Sequence, residues 1–185
     1  MQRSDFEIMA PAGSRETLAA ALQAGADSVY FGIGALNMRA HSAGGFTIDD
    51  LNEIAAFCRE HGAKSYLTVN TVIYDGDLAA MREIVSAAKA AGVSAVIASD
   101  VAVMQCCREL GVEVHLSTQL NIANVEALRF YAQFADVVVL ARELTLRQVA
   151  DIRAAIDREG IKGPSGRPVR IEMFCHGALC MAVSG

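Results

Sequence analysis

Short β-branched runs alternate along this chain with longer stretches whose apolar residues recur at helical spacing. The phrase closing each helix also recurs before the next strand. Ala24-Gly25-Ala26-Asp27, His61-Gly62-Ala63-Lys64, Ala91-Gly92-Val93-Ser94 and Leu110-Gly111-Val112-Glu113 are four versions of one helix-to-strand transition. A glycine just past the last apolar residue of a helix suits the left-handed C-cap, so the echo marks a single supersecondary unit used repeatedly. The two periodicities predict strands at residues 6–10, 28–31, 64–69, 95–99, 114–117, 137–140 and 169–174. Between them they predict helices at 14–25, 47–62, 77–92, 101–111, 124–134 and 146–160, the first capped by Ser14 and the second opened by Thr47 with Asp49 and Asp50.

Seven strands joined by six helices make a parallel sheet, which is either doubly wound or closed into a barrel. The turn after the first strand, Ala10-Pro11-Ala12-Gly13-Ser14, has one glycine and no G-x-G-x-x-G spacing, which removes the main support for a dinucleotide-binding doubly wound sheet. The expectation is a TIM-type (β/α) barrel, one domain over residues 1–185. A full eightfold barrel takes about 200–250 residues, so the chain reads as incomplete, cut short after its seventh strand.

Composition narrows the function classes. With 185 residues, 53% of them hydrophobic, the chain has enough apolar surface for a core that needs no disulfide or structural metal. Five cysteines at irregular spacing form no disulfide framework. No apolar run nears the roughly 18–20 residues of a membrane span, and residues 1–14 lack the basic and apolar regions of a signal peptide, so a cytoplasmic protein is expected. A formal net charge of −5 with scattered Lys and Arg supplies no general field for nucleic acid, and any RNA contact has to be local. No G-x-S-x-G elbow, H-E-x-x-H helix or P-loop appears.

In a (β/α) barrel the chemistry gathers at the C-terminal ends of the strands. There the chain places Asn37 and Arg39, Asn70, Ser99 and Asp100, Thr118, Gln119 and Asn121, Arg142 and Glu143, and Glu172 and His176. Each has an ordinary structural role as a cap or ion-pair partner, and the concentration at one end is the stronger signal. The amides of Asn70, Gln119 and Asn121 can fix a planar polar ligand. Asn37, Arg39 and Arg142 extend the same set, the arginines being able to grip a carboxylate or phosphate with two parallel hydrogen bonds. Glu143, Glu172 and His176 are the candidates for proton transfer. His115, flanked by Val114 and Leu116, reads as a barrel-interior histidine.

The segment from Glu172 to Gly185 packs Cys175, His176 and Cys180 behind a strand. With Met9-Ala10-Pro11-Ala12-Gly13-Ser14, Leu36-Asn37-Met38-Arg39-Ala40, Thr68-Val69-Asn70-Thr71, Ser117-Thr118-Gln119-Leu120-Asn121, Leu140-Ala141-Arg142-Glu143-Leu144 and the signature Glu172-x-Phe174-x-His176-Gly177-Ala178-Leu179-Cys180, the chain resembles the peptidase U32 family, the collagenase-like proteases. The resemblance runs in order through nearly the whole length.

That resemblance implies two activities. The family name implies proteolysis, here by Glu143, Glu172 or His176 with a metal or an activated water. Other members hydroxylate RNA bases or quinone precursors and carry a 4Fe-4S cluster held by four cysteines. By that pattern Cys180 is the first ligand, the second lies seven positions on, and Cys175 falls outside the set, so the cluster is expected of the full-length protein and not of these 185 residues alone. The expected partner is a small planar or anionic substrate, with RNA bound through a local site. A non-catalytic scaffold is the remaining alternative.

Overall fold

The computed structural model describes residues 2–37 and 45–176. Seven strands form one sheet in sequential order: β1 Met9–Pro11, β2 Ser28–Gly32, β3 Lys64–Val69, β4 Ala95–Ala98, β5 Val114–Leu116, β6 Val137–Val139 and β7 Arg170–Glu172. Every neighbouring pair is parallel. Six helices make the crossovers: α1 Arg15–Gln23, α2 Leu51–Glu60, α3 Leu78–Ala91, α4 Val101–Leu110, α5 Val125–Tyr131 and α6 Leu146–Glu159. This is the expected (β/α) barrel, incomplete, with no pairing between β1 and β7 among the described residues. The sheet nevertheless curls far enough for the charge of Glu7, just ahead of β1, to act on Glu172 of β7.

The caps follow their sequence signals. The Ser14 hydroxyl accepts the Thr17 amide, Asp100 accepts that of Ala102 and Asn124 that of Ala127. Gly92 and Gly111 end α3 and α4 with φ of 75° and 68°, a conformation that costs a side-chain-bearing residue dearly. The first strand begins later than its hydrophobic run suggests. Asp27 takes the Ile8 amide at 2.6 Å with its carboxylate, so Ile8 meets the sheet only through its carbonyl, which accepts the Asp27 and Ser28 amides at 2.9 and 3.2 Å.

Strand alternation separates two interiors. Val29 and Phe31 of β2, Leu67 and Val69 of β3, Val96 and Ala98 of β4, Val114 and Leu116 of β5 and Val138 of β6 face the helices and form the main core with Leu18, Leu51, Val85, Met104, Leu128 and Ile156. On the concave side Met9, Tyr30, Tyr66, Ala95 and Ile97 form a smaller apolar cluster. The same face also carries polar and charged side chains that the sequence alone did not mark as belonging together.

Candidate functional site

Starting at the N-terminal mouth of the barrel, Lys64 and Tyr66 of β3 both reach Glu7, the lysine ammonium at 2.6 Å and the tyrosine hydroxyl by a short hydrogen bond. Burial tends to raise the Glu7 carboxyl, but these two donors outweigh it and hold its pKa below the usual carboxylate value. The Tyr66 hydroxyl is driven the other way, by burial and then by Glu7. The Tyr66 ring lies 4.5 Å from that of His115, whose Nε2 faces Glu113 at 3.3 Å while Arg170 of β7 binds the same carboxylate at 2.7 Å. His115 is the interior histidine expected, although its buried Nδ1 has no hydrogen-bond partner. A cleft of about 330 Å³ lined by Lys64, Tyr66, Ser94, Glu113, Arg167 and Arg170 opens at this end. Interlocked ion pairs at the N-terminal mouth tie β1, β3, β5 and β7 together, a stability role in a barrel.

At the C-terminal end several of the candidate residues are bonded to neighbouring strands and loops. The Thr68 hydroxyl donates to the Phe31 carbonyl at 3.0 Å, and the Asn70 amide reaches over β4 to the Ser117 hydroxyl at 3.4 Å. Asp100 accepts the Ile73 amide as well as capping α4, which locks the loop after β3 onto the turn after β4. Thr118 donates to the Leu140 carbonyl at 3.4 Å. Beyond β6, the exposed Arg142 guanidinium lies 5.2 Å from the centroid of the Phe174 ring. Gln119 is exposed beside Ser117, and Asn121 ends a short turn with φ of 49°, the one positive value among the described non-glycine residues.

Glu172, half-buried at the end of β7, is the carboxylate with the most altered acidity. Burial, reinforced by the negative charge of Glu7, pushes it up to about 7. Such a group carries or yields a proton near neutral pH, which suits general acid–base work. Glu143 and His176 lie exposed toward the same end. Asn37 has a different situation: it is buried, and its amide hydrogens bind the Ile33 and Gly34 carbonyls at 2.9 and 3.1 Å, bracing the loop after β2. Arg39 and Cys180 fall outside the described residues.

Strand parity was the signal for Lys64, Tyr66, Glu113 and Arg170, which sequence reasoning missed, and for their kinship with His115 and Glu172, which it named. Lys64 and Tyr66, Glu113 and His115, and Arg170 and Glu172 are i, i+2 pairs on lumen-facing positions. Phe174, two positions past Glu172, carries the ring under Arg142. No group of three or more His, Cys, Asp or Glu among the described residues is placed to hold a metal ion. No described helix is long and apolar enough to cross a membrane.

The family model for peptidase family U32 matches residues 13–185. The chain belongs to that family. It is 68% identical over its whole length to a protein named collagenase from Porphyromonas gingivalis, of which it spans 45%. It is 34% identical over 182 residues to tRNA hydroxylation protein P1 of Bacillus subtilis, covering 97% of this chain and 40% of that protein. The chain thus spans less than half the length of these curated relatives. A solved U32 peptidase superposes with a TM-score of 0.67 at 14% identity, over 80% of this chain and 64% of that one, a likeness that shows the shared fold.

Proposed function

We propose that this U32 chain forms the substrate-binding barrel of an enzyme that hydroxylates an RNA base or a related planar substrate. One observation carries the reading: a half-buried Glu172 carboxyl with its pKa pushed up to about 7 stands at the strand end that also presents the Arg142 guanidinium over the Phe174 ring. Flat groups that grip a flat ligand, next to a proton carrier matched to neutral pH, are what a base-modifying site requires. The name of the Bacillus subtilis relative supports it.

A 4Fe-4S cluster in the full-length protein is part of this proposal. The described residues do not form a seat for it. Cys58, Cys106 and Cys107 are buried, and Cys175 is exposed. The expected ligand, Cys180, lies outside the described residues. The residues in view bind, orient and exchange protons: Asn70 and Arg142 hold the substrate, and Glu172 moves a proton.

A second reading, a peptidase in which Glu172 activates a water, is favoured by the 68% identity to the collagenase-named relative. The deciding experiment purifies the full-length protein anaerobically and records iron, sulfide and the visible spectrum beside Cys180→Ser, with modified nucleosides measured in RNA treated with each. Roughly four irons per chain, lost in the variant together with hydroxylation, support the first reading. A colourless, iron-free protein that cleaves denatured collagen, and stops doing so in Glu172→Gln, overturns it in favour of the second.

A further inference from the structure

We infer that Arg142 and Phe174 form a preassembled stacking platform for one unpaired base of the RNA, an assignment that rests on the hydroxylase reading above and names how its substrate is held. The guanidinium carbon stands 5.2 Å from the ring centroid, inside the roughly 6 Å range in which a cation is attracted to an aromatic face. Both side chains are exposed, Phe174 at 48%. The segments that carry them are pinned together before any ligand arrives. Val139 pairs with Glu172 in the sheet, the Leu140 amide binds the Glu172 carbonyl at 3.1 Å, and the Ala141 amide binds the Ile122 carbonyl at 2.9 Å. A base lying on this pair sits at the strand end that bears Glu172, with the Asn70 amide held by Ser117 on the same barrel face.

The charge of the chain points to the same mode of binding. A net charge of −5 leaves little electrostatic attraction for a phosphate backbone. Stacking does not depend on that attraction, and every base has a π-face to offer. Proteins reading RNA by splayed single-stranded bases use aromatic rings and arginine planes in this way. The platform therefore takes an unpaired nucleobase, and the contribution of stacking itself should respond only weakly to salt.

The test uses the full-length protein and a ten-nucleotide single-stranded RNA with one base replaced by 2-aminopurine, whose fluorescence is quenched on stacking. Wild type should quench it. Arg142→Lys keeps the charge and loses the plane, and Phe174→Leu loses the ring; each should raise the dissociation constant about tenfold or more. Phe174→Tyr should restore binding, which separates stacking from a folding defect. Wild-type quenching with unchanged affinity in Arg142→Lys and Phe174→Leu overturns the platform and leaves the hydroxylase reading standing. No quenching by wild type overturns the platform and removes support for RNA as the substrate.

Discussion

Replacing Glu172 by Gln should stabilise the protein at pH 8 and leave its stability unchanged near pH 4. The Glu172 carboxyl has its pKa pushed from the ordinary 4.5 up to about 7, first by burial and then by the charge of Glu7. The folded state thus holds this proton more tightly than the unfolded chain does. Below pH 4.5 both states carry it and folding bears no cost. The cost grows as pH climbs from 4.5 toward 7 and is complete above 7. At about 1.4 kcal/mol for each pH unit, it comes to about 3 kcal/mol, and partial solvent access to the group trims this to about 2 kcal/mol. Glutamine has nearly the same shape and no charge to desolvate, so it escapes the cost.

The assay is urea unfolding of full-length wild type and Glu172→Gln at pH 4.5, 6 and 8. The stability difference should open from about zero to about 2 kcal/mol in favour of the variant. Enzymatic activity, by either functional reading, should fall in the same variant, because a group kept under strain for function is stabilised when function is removed. A difference that does not vary with pH, or a variant less stable than wild type at pH 8, would refute the reasoning.

Three further expectations follow from the packing. A Cβ on Gly32 would meet Asn37 Oδ1 at 2.2 Å and its Cγ at 2.4 Å, and Asn37 is held by two carbonyls, so Gly32→Ala should cost about 2–3 kcal/mol and show as a lowered melting temperature. Tyr66→Phe deletes a hydroxyl donated to the Glu7 carboxylate and should cost about 2 kcal/mol at neutral pH. Since Glu7 is held below its usual pKa, that loss should shrink as acid protonates it, which denaturation at pH 7 and pH 3 would reveal. Finally, burial raises the thiols of Cys58 to about 11 and Cys107 to about 12 and also raises Cys106. Alkylation of the native protein followed by peptide mass mapping should find Cys175 labelled and these three protected until denaturant is added.

Local order in this chain was legible from local chemistry. Strand–helix alternation and glycine-closed helix ends placed all seven strands and six helices in order, because period-2 and period-3.6 patterns and cap residues act over a few positions. The same reasoning set Asn70, Gln119, Arg142 and Glu172 at the C-terminal ends of their strands, where the sheet puts them. It failed at the start of β1, where the Asp27 carboxylate, 19 residues away, captures the Ile8 amide that a hydrophobic run would assign to the ladder. Nor was it visible in the sequence that the Asn37 amide bonds to the Ile33 and Gly34 carbonyls of its own loop.

What the sequence by itself determined is the list of elements, their parallel arrangement and the family to which they belong. Only the tertiary structure decided which polar residues share an environment. Tyr66 meets Glu7 across 59 positions and Arg170 meets Glu113 across 57, because curling the sheet brings lumen-facing side chains of distant strands together. The acidity of Glu172 has the same origin: a carboxyl is ordinary in any short peptide, and its pKa rises only when the barrel removes its water and sets Glu7 nearby.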